Sequence, residues 1–260
     1  MKVVILCGGY GTRIRDVAEN IPKPMIPIGK YPILWHIMKY YSIFGYNEFV
    51  LCLGYKSEVI KDYFFNYETH SSDFTIKLGD KSSIIRHNLH NEAGWSITMA
   101  ETGLNAMTGS RVKQIAKYIG NDDCFMLTYG DGVGNIDIDE LVKFHRSHGK
   151  IATLTGVYPP GRFGELMINE NHQVEGFNEK PQVSGGRING GFFVFNREIF
   201  DYLTDDESLI LEQEPMTKLV QDKQLMVFEH NGFWQPMDTS REYSLLNKHY
   251  DNKTAPWVKW

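Results

Sequence analysis

The stretch from Lys2 to Pro24 holds the residues best suited to chemistry in this chain. Gly8-Gly9-Tyr10-Gly11-Thr12-Arg13 is followed, after a short gap, by Lys23 between Pro22 and Pro24. Glycines tolerate positive φ and close backbone approach, so consecutive N–H groups can converge on an anion. Arg13 adds a planar fork suited to phosphate oxygens. The two prolines stiffen the backbone on either side of the Lys23 cation. Glycine loop, arginine and clamped lysine together describe a pocket for a polyphosphate. Neither standard fingerprint applies. Gly8, Gly9 and Gly11 do not satisfy G-x-G-x-x-G, and no Gly-Lys-Ser/Thr is present for a Walker loop.

Two aspartates extend the pattern. Asp131 lies in Tyr129-Gly130-Asp131-Gly132, and Asp238 in Trp234-Gln235-Pro236-Met237-Asp238-Thr239. An aspartate at the carboxyl end of a buried strand, facing a glycine loop, suits Mg²⁺, a hard cation that prefers oxygen. Each also has a plain structural reading, Asp131 as a turn residue and Asp238 as the N-cap of a last helix. The pairs His87/His90 and His145/His148 have loosely metal-like spacing but no third ligand motif nearby, and read as solvated or structural.

The elements that must position these groups follow from apolar patterning. Lys2 to Cys7 is apolar without alternation, which suits a strand buried on both faces of a parallel sheet. A helix from Pro32 to about Phe44, a strand at Phe49 to Leu53 and a helix at Glu58 to Tyr67 continue a doubly wound start, with ligands expected at the carboxyl ends of the strands. Phe74 to Leu78, Ser83 to His87 and Trp95 to Ala100 are short and interrupted by polar residues, and read as a β-rich excursion over about 68–102. The strand at Cys124 to Tyr129 delivers Asp131. Further strands are expected at Ala152 to Tyr158, Glu165 to Ile168, Gln173 to Asn178, Gly190 to Phe195 and Leu225 to Glu229. A last helix runs from near Thr239 to Tyr250.

The 260 residues, 42% hydrophobic and 13% aromatic, suffice for one α/β unit with a real core. A net charge of −5 provides no global basic field for nucleic acid or acidic lipid, so an anionic substrate must be held by local cations. Cys7, Cys52 and Cys124 lie at or near apolar strands and read as reduced. Met1-Lys2 leads straight into the first strand and no run of 18 apolar residues occurs, so a cytoplasmic protein is expected. Trp257 and Trp260 are unusual in a terminal segment, and an aromatic tail is expected to dock on the body of the chain or on a neighbouring subunit, with a subunit boundary preferred.

The combination of G-G-x-G-T-R with P-K-P resembles the signature of the sugar-1-phosphate nucleotidylyltransferases. Pro32-Ile33-Leu34-Trp35-His36-Ile37-Met38, Tyr129-Gly130-Asp131-Gly132-Val133, Pro159-Pro160-Gly161-Arg162-Phe163-Gly164, Glu179-Lys180-Pro181 and Gly232-Phe233-Trp234-Gln235-Pro236-Met237-Asp238-Thr239 follow in order, and the set is similar to the CDP-glucose-forming branch. The resemblance implies a Rossmann-like doubly wound mixed sheet, as one domain over 1–260 with the β-rich insertion and a C-terminal extension over about 239–260. It implies CTP and α-D-glucose 1-phosphate as substrates, Mg²⁺ as cofactor, and a homo-oligomer, with hexamers known in that branch. Leu6, Cys7, Gly8, Gly9, Tyr10, Gly11, Thr12, Arg13, Lys23, Arg111 and Gly130 would hold the nucleotide. Gly164, Glu179, Lys180 and Asn189 would hold the sugar phosphate, Asp131 and Asp238 the metal, and Arg13, Lys23 and Asp131 would act in catalysis. Ala106 stands where relatives carry a serine that touches the nucleotide. The same chemistry with UTP, dTTP or another hexose phosphate stays open at this point, as does a regulatory homologue without turnover. A nicotinamide oxidoreductase is disfavoured by the failed dinucleotide fingerprint.

Overall fold

Val3–Leu6 (β1) lies in the interior of a seven-stranded sheet in the computed structural model, which describes residues 1–11, 14, 20–79, 84–87, 90–160, 165–168, 170, 173–178 and 186–260. The other six strands, in chain order, are Glu48–Leu53 (β2), Ser96–Glu101 (β3), Cys124–Tyr129 (β4), Ala152–Val157 (β5), Ile188–Asn196 (β6) and Leu225–His230 (β7). They pack in the order β7-β5-β6-β4-β1-β2-β3. All pairings are parallel except those of β6, which runs antiparallel to both β4 and β5. The fold is therefore α/β with a mixed, doubly wound sheet.

Burial on both faces explains the unbroken apolar run of β1. Val3 and Ile5 enter one core with Met126, Val194 and the helix Ile33–Ser42 (α1). Val4 enters the other with Val50, Leu127 and Phe193, beneath the helix Thr108–Gln114 (α2). β1, β2 and β4 are parallel and all end on the same edge. That edge carries the glycine loop and Asp131.

Ser96–Glu101 departs from the sequence reading. It was expected within the β-rich excursion but joins the main sheet beside β2, in register Glu48↔Ser96 to Leu53↔Glu101. An edge strand is covered on fewer sides, so it needs no continuous apolar run and its alternation resembles that of a hairpin. Phe74–Ile76 and Ile84–Arg86 do pair with each other as a separate antiparallel arm.

The helix Ile138–His148 (α3) starts where Asp137 accepts a hydrogen bond from the Glu140 N–H at 3.0 Å, and stops at Gly149 in the left-handed conformation. The last helix, Ser240–Asp251 (α4), is capped by Thr239 in a capping box with Glu242. After it the tail folds back on its own chain. Trp257 is fully buried, its ring stacked on Phe233 at 5.6 Å and its indole N–H donated to Nδ1 of His36 at 3.4 Å. The expected docking is thus intramolecular for Trp257, whereas Trp260 stays partly exposed, edge-on to Trp35. His145 is shared between Thr153 and Asn196, and His148 also bonds Thr153, a structural use of that pair. All three cysteines are free thiols. Among the described residues no helix is long and apolar enough to cross a membrane.

Candidate active site

The glycine loop is fixed from behind by an arginine. The carbonyl of Gly8 accepts from the Tyr55 N–H at 3.2 Å and from Nη2 of Arg111 at 3.1 Å. Nη1 of Arg111 reaches the Leu53 carbonyl at 2.9 Å and Oγ1 of Thr102 at 2.7 Å. A methyl group at Gly8 would collide with this guanidinium, so the position needs glycine for space. Arg111, expected to hold nucleotide, does border the cavity. Its hydrogen bonds, however, go to protein acceptors, and it ties the ends of β1 and β2 together. Gly11 takes φ +60°, the left-handed region, and its Cα faces the Cβ of Lys23.

Lys23 opens a short 3₁₀ turn, Lys23–Met25, between its flanking prolines. Its Nζ lies 2.5 Å from Oδ2 of Asp131 and 2.5 Å from Oδ1 of Asp238. Two local devices bring those carboxylates together. Asp131 immediately precedes Gly132–Gly134, which pairs antiparallel with Trp234–Pro236, and the Met237 N–H donates to the Asp131 carbonyl at 2.8 Å. Glu242, from the capping box, accepts from the Asp238 N–H at 2.7 Å and the Thr239 N–H at 3.0 Å. Thr239, not Asp238, is the N-cap, which leaves the Asp238 carboxylate for the site. Burial alone would lower the Lys23 pKa, but Asp131 and Asp238 outweigh it and hold the ammonium above the ordinary lysine value.

These groups border a cavity of about 450 Å³, lined by Leu6 to Gly11, Lys23, Gly130, Asp131, Asp238 and the segment Leu104 to Thr108. The Tyr10 hydroxyl donates to Asn105 at 3.1 Å and closes part of its rim. Ala106 is buried in the wall and offers no hydroxyl there. Asn189 sits at the start of β6, its side chain bonded to the Tyr129 hydroxyl at the cavity edge. Thr12, Arg13, Gly164, Glu179 and Lys180 lie outside the described residues. Sequence reasoning missed Leu104, Asn105, Met107 and Thr108, which follow no motif and reach the cavity only because α2 begins beneath it.

The donor set fits Mg²⁺. Two carboxylates already converge on one cationic centre, the Lys23 ammonium, and both are hard oxygen donors. Mg²⁺ binds through one or two carboxylates together with water and substrate phosphate, so a two-aspartate set suffices. No group of three or more His, Cys, Asp or Glu suited to a metal occurs among the described residues.

Glycine loop, clamped lysine and paired aspartates thus meet at the carboxyl edge of a mixed doubly wound sheet, the edge where open α/β sheets bind their ligands. The family model for nucleotidyl transferases matches residues 2–253. Glucose-1-phosphate cytidylyltransferase of Salmonella typhimurium is 48% identical over 260 residues, covering all of both chains. A probable glucose-1-phosphate cytidylyltransferase of Bacillus subtilis is 44% identical, again over the whole of both. Among solved structures, HddC from Yersinia pseudotuberculosis superposes with a TM-score of 0.68 at 22% identity, covering 96% of this chain and 99% of that one. A putative glucose-1-phosphate thymidylyltransferase from Bacillus anthracis gives a TM-score of 0.69 at 18% identity, with 95% and 94% covered, and supports the same fold. The chain belongs to the nucleotidyl transferase family and is a nucleotidyltransferase.

Proposed function

We propose that the protein forms CDP-glucose and pyrophosphate from CTP and α-D-glucose 1-phosphate, with Mg²⁺ held by Asp131 and Asp238. The convergence of Lys23, Asp131 and Asp238 beneath the glycine loop carries the reading. The choice of substrates is supported by full-length similarity to relatives that bear the cytidylyltransferase name.

An oxygen of the sugar phosphate attacks the α-phosphorus of CTP in line. A P–O bond forms there, the bond to the bridging oxygen breaks, and pyrophosphate leaves with the electron pair. A phosphate monoester with its second pKa near 6 is mostly dianionic at pH 7, so the attacking oxygen needs no general base. The obstacle is repulsion between two anions, and positioning with electrostatics must offset it. Lys23 contributes a charge held in place by Pro22, Pro24 and two carboxylates. Arg13 and the backbone of Gly8 to Gly11 hold the triphosphate, and Glu179, Lys180, Gly164 and Asn189 hold the glucose phosphate. Mg²⁺, when bound, supplies positive charge to the phosphate oxygens. The reading extends to a homo-oligomeric, cytoplasmic enzyme.

Product analysis tests it. Incubation of the purified protein with CTP, glucose 1-phosphate and Mg²⁺ should yield CDP-glucose and pyrophosphate in equal amounts by ion-exchange chromatography and mass spectrometry. CDP or CMP without a sugar adduct would overturn it.

A further inference from the structure

Glu212 lies in the connection that follows β6, outside every motif of the sequence, yet it sits at the junction of the two substrate sides. Its Oε2 accepts from Oγ1 of Thr108 at 2.6 Å, and its Oε1 accepts from the Tyr129 hydroxyl. Thr108 belongs to the cavity wall, and Tyr129 ends β4 directly before Gly130-Asp131. The Tyr129 oxygen in turn accepts from Nδ2 of Asn189 at 3.2 Å, and Oδ1 of Asn189 accepts from the Gly191 N–H at 2.9 Å.

The directions of these bonds are forced. A carboxylate only accepts, so both Thr108 and Tyr129 must donate to Glu212. Tyr129 then has no proton left for Asn189 and can meet it only as an acceptor. With its oxygen on Gly191 N–H and one N–H on Tyr129, Asn189 has a defined amide orientation and one remaining N–H to offer. Thr108 is itself tied to the Glu212 segment, because its Oγ1 accepts from the Leu211 N–H at 2.9 Å. Gly191, at φ +78°, leaves space that the Tyr129 ring fills, and a Cβ there would strike that ring. Burial, reinforced by Glu212, raises the Tyr129 pKa, so the phenol keeps its proton.

We infer that Glu212 is a positioning residue for the acceptor subsite, fixing Asn189 through Tyr129 as a hydrogen-bond donor to one hydroxyl oxygen of the hexose phosphate. The inference rests on the placement of Asn189 in the sugar subsite proposed above. An oriented donor discriminates against an analogue without that hydroxyl, because the donor is then left unpaired.

The test is steady-state kinetics with glucose 1-phosphate and its 2-, 3-, 4- and 6-deoxy analogues at saturating CTP. Wild-type protein should disfavour one analogue by about tenfold or more in kcat/KM, the scale of one hydrogen bond. In Tyr129→Phe that ratio should fall to within about threefold of unity while KM for CTP changes little, in Glu212→Ala the ratio should fall likewise, and Glu212→Gln, which can still accept from Tyr129, should retain most of it. Tyr129→Phe keeps the ring packing and serves if Glu212→Ala does not fold. An unchanged ratio in a folded Tyr129→Phe protein would overturn the inference. Failure of wild-type protein to turn over glucose 1-phosphate would instead strike at the proposed reaction.

Discussion

Nζ of Lys23 lies 2.5 Å from Oδ1 of Asp238, a residue 215 positions further along the chain. The contact joins the first loop of the fold to its last helix cap, across the carboxyl edge of the sheet. A lysine clamped between prolines thus holds two carboxylates on one ammonium. The same charge faces the cavity where a triphosphate would lie.

Replacing either aspartate should remove most activity without unfolding the protein. Asp131→Asn and Asp238→Asn each keep the local shape but remove a charge from the cation site, and a loss on the order of 10²–10³-fold in kcat is expected. Both side chains are part-exposed, so the melting temperature should move little. Excess chelator should likewise abolish pyrophosphate release, with activity restored by added Mg²⁺. Turnover close to wild type in either variant would remove these residues from the metal site.

Arg111 gives a test that separates bracing from direct contact. Arg111→Met would remove the guanidinium bonds to the carbonyls of Gly8 and Leu53, which keep their bonds from Tyr55 and Thr102, at about 1–3 kcal/mol for each charge-assisted bond lost. A brace predicts that KM for CTP rises and the melting temperature falls together. A higher KM at unchanged melting temperature would instead make Arg111 a ligand of the nucleotide alone.

His36 should make stability depend on pH. Burial lowers its pKa from 6.5 to about 4, and its Nε2–H donates to the Ile28 carbonyl. Between those values the unfolded chain binds the proton more tightly than the native state, so stability is lost as pH falls from 6.5 to about 4 and the loss levels off below. A shift of this size corresponds to roughly 3 kcal/mol. Thermal unfolding across this range should show the slope, and His36→Asn should flatten it.

Trp257 should stabilise each chain by itself. Trp257→Ala opens a cavity beside Phe233 and His36 and should cost about 3–5 kcal/mol. Because the contact is intramolecular, the drop in melting temperature should not depend on protein concentration. A drop that vanishes on dilution of the wild type to monomer would return the tail to a subunit boundary.

Much of the fold was legible because burial on two faces writes itself as apolar runs. β1, β2 and β4 were placed that way. Ser96–Glu101 was misplaced because an edge strand and a hairpin strand share the same half-polar pattern. The pair Gly132–Gly134 and Trp234–Pro236 was not seen at all, since three-residue strands carry no periodicity. Yet that pair brings Asp131 to Asp238. Lys23 and both aspartates were readable from residue type and motif spacing. The bracing use of Arg111 was not, because its partners are backbone carbonyls, which any sequence supplies. Glu212 escaped for a similar reason: its role exists only once β4, β6 and α2 are assembled around it.

The most direct test of the whole account is pyrophosphate release measured with CTP, UTP, dTTP and GTP against a panel of hexose 1-phosphates, in the presence of Mg²⁺. The account predicts that CTP with α-D-glucose 1-phosphate gives the highest kcat/KM, and that Lys23→Ala lowers it by on the order of 10²-fold or more. A higher kcat/KM for another pair, or no release with any pair, would contradict it.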